Sequence, residues 1–280
     1  MGVGGVNLPR NGPARPPWAI FAGVALPDPL QSFDDAAAEL ATLLHEVDQA
    51  AGRLRTARAA GRVSANTIEA VRVGMTYDSN AIEGSTLSLR DTQLVIEGKS
   101  PAAGKELREI YEARNHDRAL RMVERWATER PGLPATEADL LGVHAVVMAD
   151  IDAGAGRYRS DRVRIVGTNF IPPSGHKFDA LIPAALGRAG RQEPHPVLRA
   201  AELHYNLVAI HPFNDGNGRT GRLMMNDYLL RHGYPYGLIK VEQRGTYLAA
   251  LDHANHGRVW ALAEFVARCV LRGADELLID

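Results

Sequence analysis

Between Asp34 and Ala60 the apolar residues Leu40, Leu43, Leu44, Val47 and Leu54 recur at helical spacing, and Gly61 closes the run. A second helical run opens near Ser64, with Ile68, Val71 and Met75 on one face and Gly84 suited to its C-terminal end. Ser88 and Asp91 have the spacing of a capping box ahead of a short helix to Glu97, which Gly98 stops. From Lys105 to Arg130 the pattern predicts a long amphipathic helix, with Leu107, Tyr111, Leu120, Val123 and Trp126 inside and dense charges on a solvated outer face. Thr136 and Asp139 open another, carrying Leu140, Leu141, Val147 and Met148; His144 on it reads as a core or hydrogen-bonded histidine. Further helices are expected over 178–187, 196–210, 216–231, 245–254 and 257–277.

Between Gly154 and Pro173 the period changes. Val163 and Ile165 alternate with Arg162 and Arg164, while Gly156, Gly167 and Pro172-Pro173 bracket the segment. This predicts a two-stranded flap, the only sheet in the chain, whose edge could capture an extended peptide through main-chain hydrogen bonds. The expected fold class is therefore all-α, a helical bundle with a small β-hairpin flap. Residues 1–33, rich in Gly and Pro, read as a flexible arm with Trp18 and Phe21 as anchors. Residues 34–280 read as one domain, without internal repeat or linker.

Composition agrees with helix: alanine is abundant and aromatics make up 6% of the chain. With 280 residues, 45% of them apolar, the chain can fill a substantial core. A net charge of −1 gives no electrostatic case for nucleic acid or an anionic membrane, and neither is an expected partner. The single Cys269 excludes an internal disulfide, fits a reducing compartment, and lies on an apolar helical face where it reads as inert packing. No apolar run approaches the ~20 residues of a membrane span, and no signal-peptide core is visible, so a cytoplasmic location is expected.

One polar stretch sits between apolar runs. Leu207-Val208-Ala209-Ile210 leads into His211-Pro212-Phe213-Asn214-Asp215-Gly216-Asn217-Gly218-Arg219-Thr220-Gly221-Arg222, and Leu223-Met224-Met225 follows. Pro212 disfavours helix at His211, so the incoming helix should stop there. After Gly218 the pattern is helical again, and a glycine-rich loop opening a helix offers unpaired N–H groups and the positive end of a dipole to an anion. Arg219 and Arg222 occupy neighbouring helical positions able to clamp successive phosphates. Asp215 supplies a hard oxygen for Mg2+. His211 can accept a proton near neutral pH. Competing readings are a dinucleotide fingerprint on Gly216, Gly218 and Gly221, a zinc site on His204, His211 and Asp215, and a purely structural corner. The first lacks a βαβ unit, Pro212 breaks the helix the second needs, and the third leaves a His, an Asp and two Arg unexplained.

The stretch closely resembles the active-site motif of the Fic family, H-P-F-x-[D/E]-G-N-[G/K]-R-x-x-R, matching it at His211, Pro212, Phe213, Asp215, Gly216, Asn217, Gly218, Arg219 and Arg222. The resemblance implies transfer of AMP from ATP to a Ser, Thr or Tyr hydroxyl of a target protein. His211 would be the base, Asp215 the Mg2+ ligand and Phe213 the loop anchor. Residues 216–222, Thr220 and Gly221 included, would bind the phosphates, with the Asn217 amide and the backbone of Gly216 to Gly218 forming an anion hole. Arg219 would grip the β-phosphate and Arg222 the γ-phosphate.

Ser79-Asn80-Ala81-Ile82-Glu83-Gly84 is similar to the family's inhibitory motif at Ser79, Glu83 and Gly84, which implies a helix at about 64–84 whose Glu83 pairs with Arg222. Gly156-Arg157-Tyr158-Arg159 and the Val163–Ile165 strand resemble the family's target-docking flap, and Tyr247 falls where the family often places an aromatic against adenine. Helical Fic domains often pair, so a homodimer is also implied as an option. Three alternatives stay open: hydrolytic removal of AMP, transfer from another nucleotide, and a non-catalytic ATP-binding regulator.

Overall fold

The computed structural model describes residues 30–165, 168–191 and 193–279. Eleven α-helices occur among them: α1 (Ala36–Glu39), α2 (Ala41–Ala59), α3 (Ala65–Ile82), α4 (Leu89–Ile96), α5 (Leu107–Glu129), α6 (Glu137–Val147), α7 (Phe178–Ala189), α8 (Pro196–Ile210), α9 (Asn217–Arg231), α10 (Arg244–Asn255) and α11 (Trp260–Leu278). The caps follow from residue chemistry. Ser64 accepts the Thr67 N–H at the start of α3, and Ser88/Asp91 and Thr136/Asp139 form full capping boxes at α4 and α6. The helical run from Asp34 is divided at Leu40, giving α1 and α2. None of the described helices is long and apolar enough to cross a membrane.

Helix α8 is buried nearly all round, as expected of a helix at the centre of a bundle. It packs against α7, α9, α10 and α11, while α9 also touches α3, α5 and α6, and α2 lies along α11. Burying α8 carries Arg199 and Glu202 inside, and charges removed from water need partners. Glu202 accepts from both Arg188 and Arg199, and Asp34 pairs with Arg199 from outside the helix. Within the expected N-terminal arm, Trp18 and Phe21 lie outside the described residues; Leu30 and Phe33, at its end, are core residues. Cys269 is buried, and burial pushes its thiol up to about 12.

Two expectations are corrected. Among the described residues there is no strand: 161–165 and 168–174 run as irregular coil, so the β-hairpin flap is not formed. An isolated hairpin is marginal in water, and here the carbonyls of Asp161 and Pro173 are taken by the Arg159 guanidinium instead of a cross-strand ladder. On α5, Leu107 is 63% exposed, while Glu109 and Asp117 are buried. The charged face of that helix therefore partly turns inward, where Arg72, Arg121, Ser85 and Thr86 satisfy it.

Candidate active site

Helix α8 ends at Ile210, and Pro212 keeps His211 out of the helix by excluding α geometry from the residue before it. His211 is instead left-handed (φ 51°, ψ 58°), one of two non-glycine residues with positive φ among those described. Its Nδ1–H donates to the Val208 carbonyl at 3.3 Å, a tautomer inferred from the network that leaves Nε2 as an acceptor. Burial, reinforced by the Arg159 charge, holds the imidazole below its ordinary pKa against the opposing pull of the Val208 carbonyl, Glu83 and Asp215. His211 is thus held as a neutral imidazole at neutral pH, with Nε2 available as an acceptor.

The loop after it is pinned from several sides. Phe213 is 1% exposed and stacks on His144, ring centroids 3.6 Å apart and nearly parallel. His144 also bonds the Asp215 carbonyl (3.0 Å) and accepts the Gly156 N–H (2.9 Å). Asn217 closes the loop on itself: Oδ1 accepts the Phe213 N–H at 2.9 Å and Nδ2 donates to the Phe213 carbonyl at 2.8 Å. That leaves one Nδ2–H of the amide uncommitted, beside the backbone N–H groups at the start of α9. Gly216 is left-handed (φ 74°), and a Cβ there would meet Met148 Sδ at 2.7 Å. Gly221 faces α8, where a Cβ would press on Val208 and His204, and Thr220 is 1% exposed with an unpartnered Oγ1; both sit on the packing side of α9.

The first N–H groups of α9 have no intrahelical partner and attract negative charge. The Glu83 carboxylate supplies it: a Cβ on Gly218 would overlap Glu83 Oε1. Glu83 is the C-cap of α3, directly followed by left-handed Gly84 (φ 104°), which turns the chain away. Arg222, 5% exposed, donates from Nη2 to Glu83 Oε1 at 2.8 Å and to the Ser79 carbonyl at 2.9 Å, and from Nε to Ser79 Oγ at 3.0 Å. Burial alone would raise the Glu83 pKa, but Arg222 and then Arg219 outweigh it and hold the carboxyl below its ordinary range. Ser79, Glu83, Gly218 and Arg222 form one cluster, in which a protein carboxylate takes the place an anion would have at a helix N-terminus.

Asp215 lies at the mouth of the cleft. Its Oδ1 accepts the Gly216 N–H at 2.5 Å and lies 3.4 Å from Arg219 Nη2, while Oδ2 pairs with Arg108. Arg219 is 2% exposed, 3.1 Å from Glu112, and its buried Nε has no partner. No cluster of three His, Cys, Asp or Glu among the described residues could hold a metal by itself. A lone hard carboxylate beside two arginines fits Mg2+ only in company with phosphate oxygens, the way that ion is commonly held.

Two joined cavities lead away from His211. One, about 370 Å³, is lined by Arg164, Asn214, Asp215, Gly216, Asn217 and Gly218. The other, about 420 Å³, runs past Phe170, Val208 and Leu251 to Asp252 and Asn255 on α10. Glu83, Ile165, His211, Gly218 and Arg244 line both. Of the two expected flap residues, Ile165 reaches the cavities and Val163 does not. Tyr247 lines the larger cavity, with its hydroxyl buried against His204 (2.9 Å). Charge spacing on α5 hinted at Arg108 and Glu112 as an i,i+4 pair; nothing in the sequence linked them, Arg159 or Arg244 to this loop.

The fold and loop agree with comparisons to known proteins. Residues 134–229 match the Fic/DOC family. The chain is 34% identical over 240 residues to a protein named protein adenylyltransferase Fic from Nematostella vectensis, across 84% of this chain and 56% of that one. It is 36% identical over 203 residues to the protein of the same name from Culex quinquefasciatus, covering 71% of this chain and 40% of that one. Among solved structures, Fic-1 from C. elegans superposes with a TM-score of 0.75 at 28% identity, over 86% of this chain and 72% of that one. The chain thus spans about half the length of the curated relatives it matches.

Proposed function

From the premise that this chain carries a Fic/DOC domain over residues 134–229, we propose that it is a protein adenylyltransferase, moving AMP from ATP to a Ser, Thr or Tyr hydroxyl of a target protein. The carrying observation is a neutral His211 whose Nε2 is an acceptor, set beside the N-terminus of α9 in a cleft of nucleotide size. His211 Nε2 takes the proton of the target hydroxyl as its oxygen bonds to the α-phosphorus. The bond from that phosphorus to the bridging oxygen breaks, and pyrophosphate leaves. Backbone N–H groups at the start of α9 face the developing charge, an arrangement worth roughly 3 kcal/mol per donor in comparable sites. Arg219, whose Nε is buried and unpartnered, is suited to a phosphate oxygen. A Mg2+ ion held by Asp215 and the substrate phosphates would neutralise charge on them. Asp252 and Asn255 lie at the far end of the larger cavity, where the base would reach.

The resting state is held off by Glu83, which pairs with Arg222 as an anion would and lies against Gly218. The γ-phosphate needs the same place, so ATP cannot seat productively until Glu83 moves. The unit is read as one catalytic domain over 34–280, with α3 as its inhibitory helix. Glu83 also lines the hollow on the far side of the loop, beside Asp215. That double exposure supports a second reading, in which it orients water for hydrolytic removal of AMP.

The test is self-modification with ATP labelled on the α-phosphate, comparing wild type, Glu83→Gly and Glu83→Gly/His211→Ala. Label in the single variant alone is the expected result. Equal label in all three would remove His211 as base and Glu83 as lock.

A further inference from the structure

We propose that Arg159 is a positioning residue for the base, because its guanidinium ties the backbone of His211 to the segment that walls the nucleotide cavity. Resting on the assignment of His211 as base, the proposal starts from an imbalance of charge. Six arginines are buried among the described residues; Arg188, Arg199, Arg219, Arg222 and Arg231 each face a carboxylate. Arg159, 3% exposed, has none among the described residues. Burial depresses its pKa accordingly. A cation without a counter-ion is costly inside a protein and is retained only where other groups satisfy it.

Those groups are backbone carbonyls on two sides of the site. Nε donates to the His211 carbonyl at 2.7 Å, and Nη2 reaches the Ile210 carbonyl at 3.5 Å. These lie at the C-terminal end of α8, where a positive charge is favoured by the helix dipole. On the other side Nη2 donates to the Pro173 carbonyl at 2.6 Å and Nη1 to the Asp161 carbonyl. Asp161 and Pro173 bracket Ile165, Thr168 and Phe170, which line the cavity. The Arg159 N–H adds a bond to the Pro212 carbonyl at 2.9 Å, and the guanidinium rests on the Phe178 ring at 5.0 Å. One side chain therefore holds His211 in its strained backbone conformation and fixes the wall opposite. Only a planar fork with several donors can span these carbonyls; the point charge of a lysine cannot.

Charge gives a second handle. His211 is faced by Arg159 from the 158–165 segment, by Glu83 from the end of α3 and by Asp215 from its own loop. Arg164, Arg222 and Arg244 line the same cavities. Arg159 lowers the His211 pKa, so removing its charge should raise it, whereas a lysine should leave it unmoved.

The experiment compares Glu83→Gly with Glu83→Gly/Arg159→Lys and Glu83→Gly/Arg159→Met, with rates normalised to ATP-binding sites counted by equilibrium binding. In both double variants kcat should fall roughly 10- to 100-fold, with KM for ATP changed by no more than about threefold. The acid limb of the kcat profile should move up only in the methionine variant. If that variant does not fold, the lysine variant carries the test, and a kcat equal to the parent's overturns the proposal. A raised KM with unchanged kcat also overturns it, leaving Arg159 as wall support alone. An inactive Glu83→Gly parent would instead strike at the proposed function. Even then an NMR titration of His211 in the Arg159→Met chain reads the positioning charge directly, and an unmoved pKa counts against it.

Discussion

His211 pays for its position twice, in a left-handed backbone that costs a non-glycine residue of order 1–3 kcal/mol and in burial that disfavours its charged form. Both make sense if a neutral imidazole must point one nitrogen at a fixed place. The lowered pKa sets the sign of a prediction. In the Glu83→Gly variant, AMP transfer should persist below the ordinary histidine value of about 6.5 and fall only as pH drops through the depressed one. A kcat profile with its acid limb at or above the ordinary value would contradict this. Glu83 behaves differently. Its folded pKa is lowered, so the Arg222 pair is fully present above the ordinary carboxylate range and is lost only below it. Wild type should therefore stay silent from pH 8 to about 5.5, measured by label transfer beside the active Glu83→Gly. At this scale the motif was legible because His211 to Arg222 are contiguous. The grip of Arg159 and His144 on the loop was not, since the loop groups they hold lie more than fifty residues away; the sequence marked His144 only as a core or hydrogen-bonded histidine, which it is.

At the scale of elements, the site is a corner between α8 and α9, and its closeness depends on small residues. A Cβ at Gly221 would lie 3.1 Å from Val208 and 3.2 Å from His204. Gly221→Val should push the helices apart at a cost of roughly 1–3 kcal/mol, read as a lowered urea midpoint with unchanged slope. Gly216→Ala should be worse for activity than for stability, because the left-handed turn it strains lies beside Asp215. A kcat loss smaller than tenfold, measured in Glu83→Gly, would show that the turn is not needed for turnover. The helices were legible from apolar spacing and capping residues, which act within a turn or two of chain. The flap was not: alternation of Val163 and Ile165 reports what could pair, and among the described residues there is no strand edge for them to pair with. The inward charges of α5 were equally hidden, because Glu112 finds Arg219 only after folding.

At the scale of the molecule, buried charge is balanced around α8 by Glu202, which serves Arg188 and Arg199 together. Glu202→Ala should leave Arg188 and Arg199 with only the half-exposed Asp34 as counter-ion and cost roughly 3–5 kcal/mol, seen as a large loss of unfolding free energy. A loss under ~1 kcal/mol would mean that Asp34 and water suffice. The Glu83–Arg222 contact, proposed above as the inhibitory one, spans the same scale: the two residues are far apart in the chain and meet only because α3 packs on α5, α9 and α11. By itself the sequence determined the helical class, most of the helix limits and the polar corner at 211–222, because periodicity, caps and a contiguous motif are local properties of the chain, while the break at Leu40 between α1 and α2 was not visible in it. The tertiary structure alone decided that Glu83 lies on Gly218, that the Asn217 amide closes its own loop, and that Arg159 grips His211. Those outcomes depend on which distant groups share a desolvated space, and there each buried donor or charge must find a partner that its own neighbourhood in the chain does not supply.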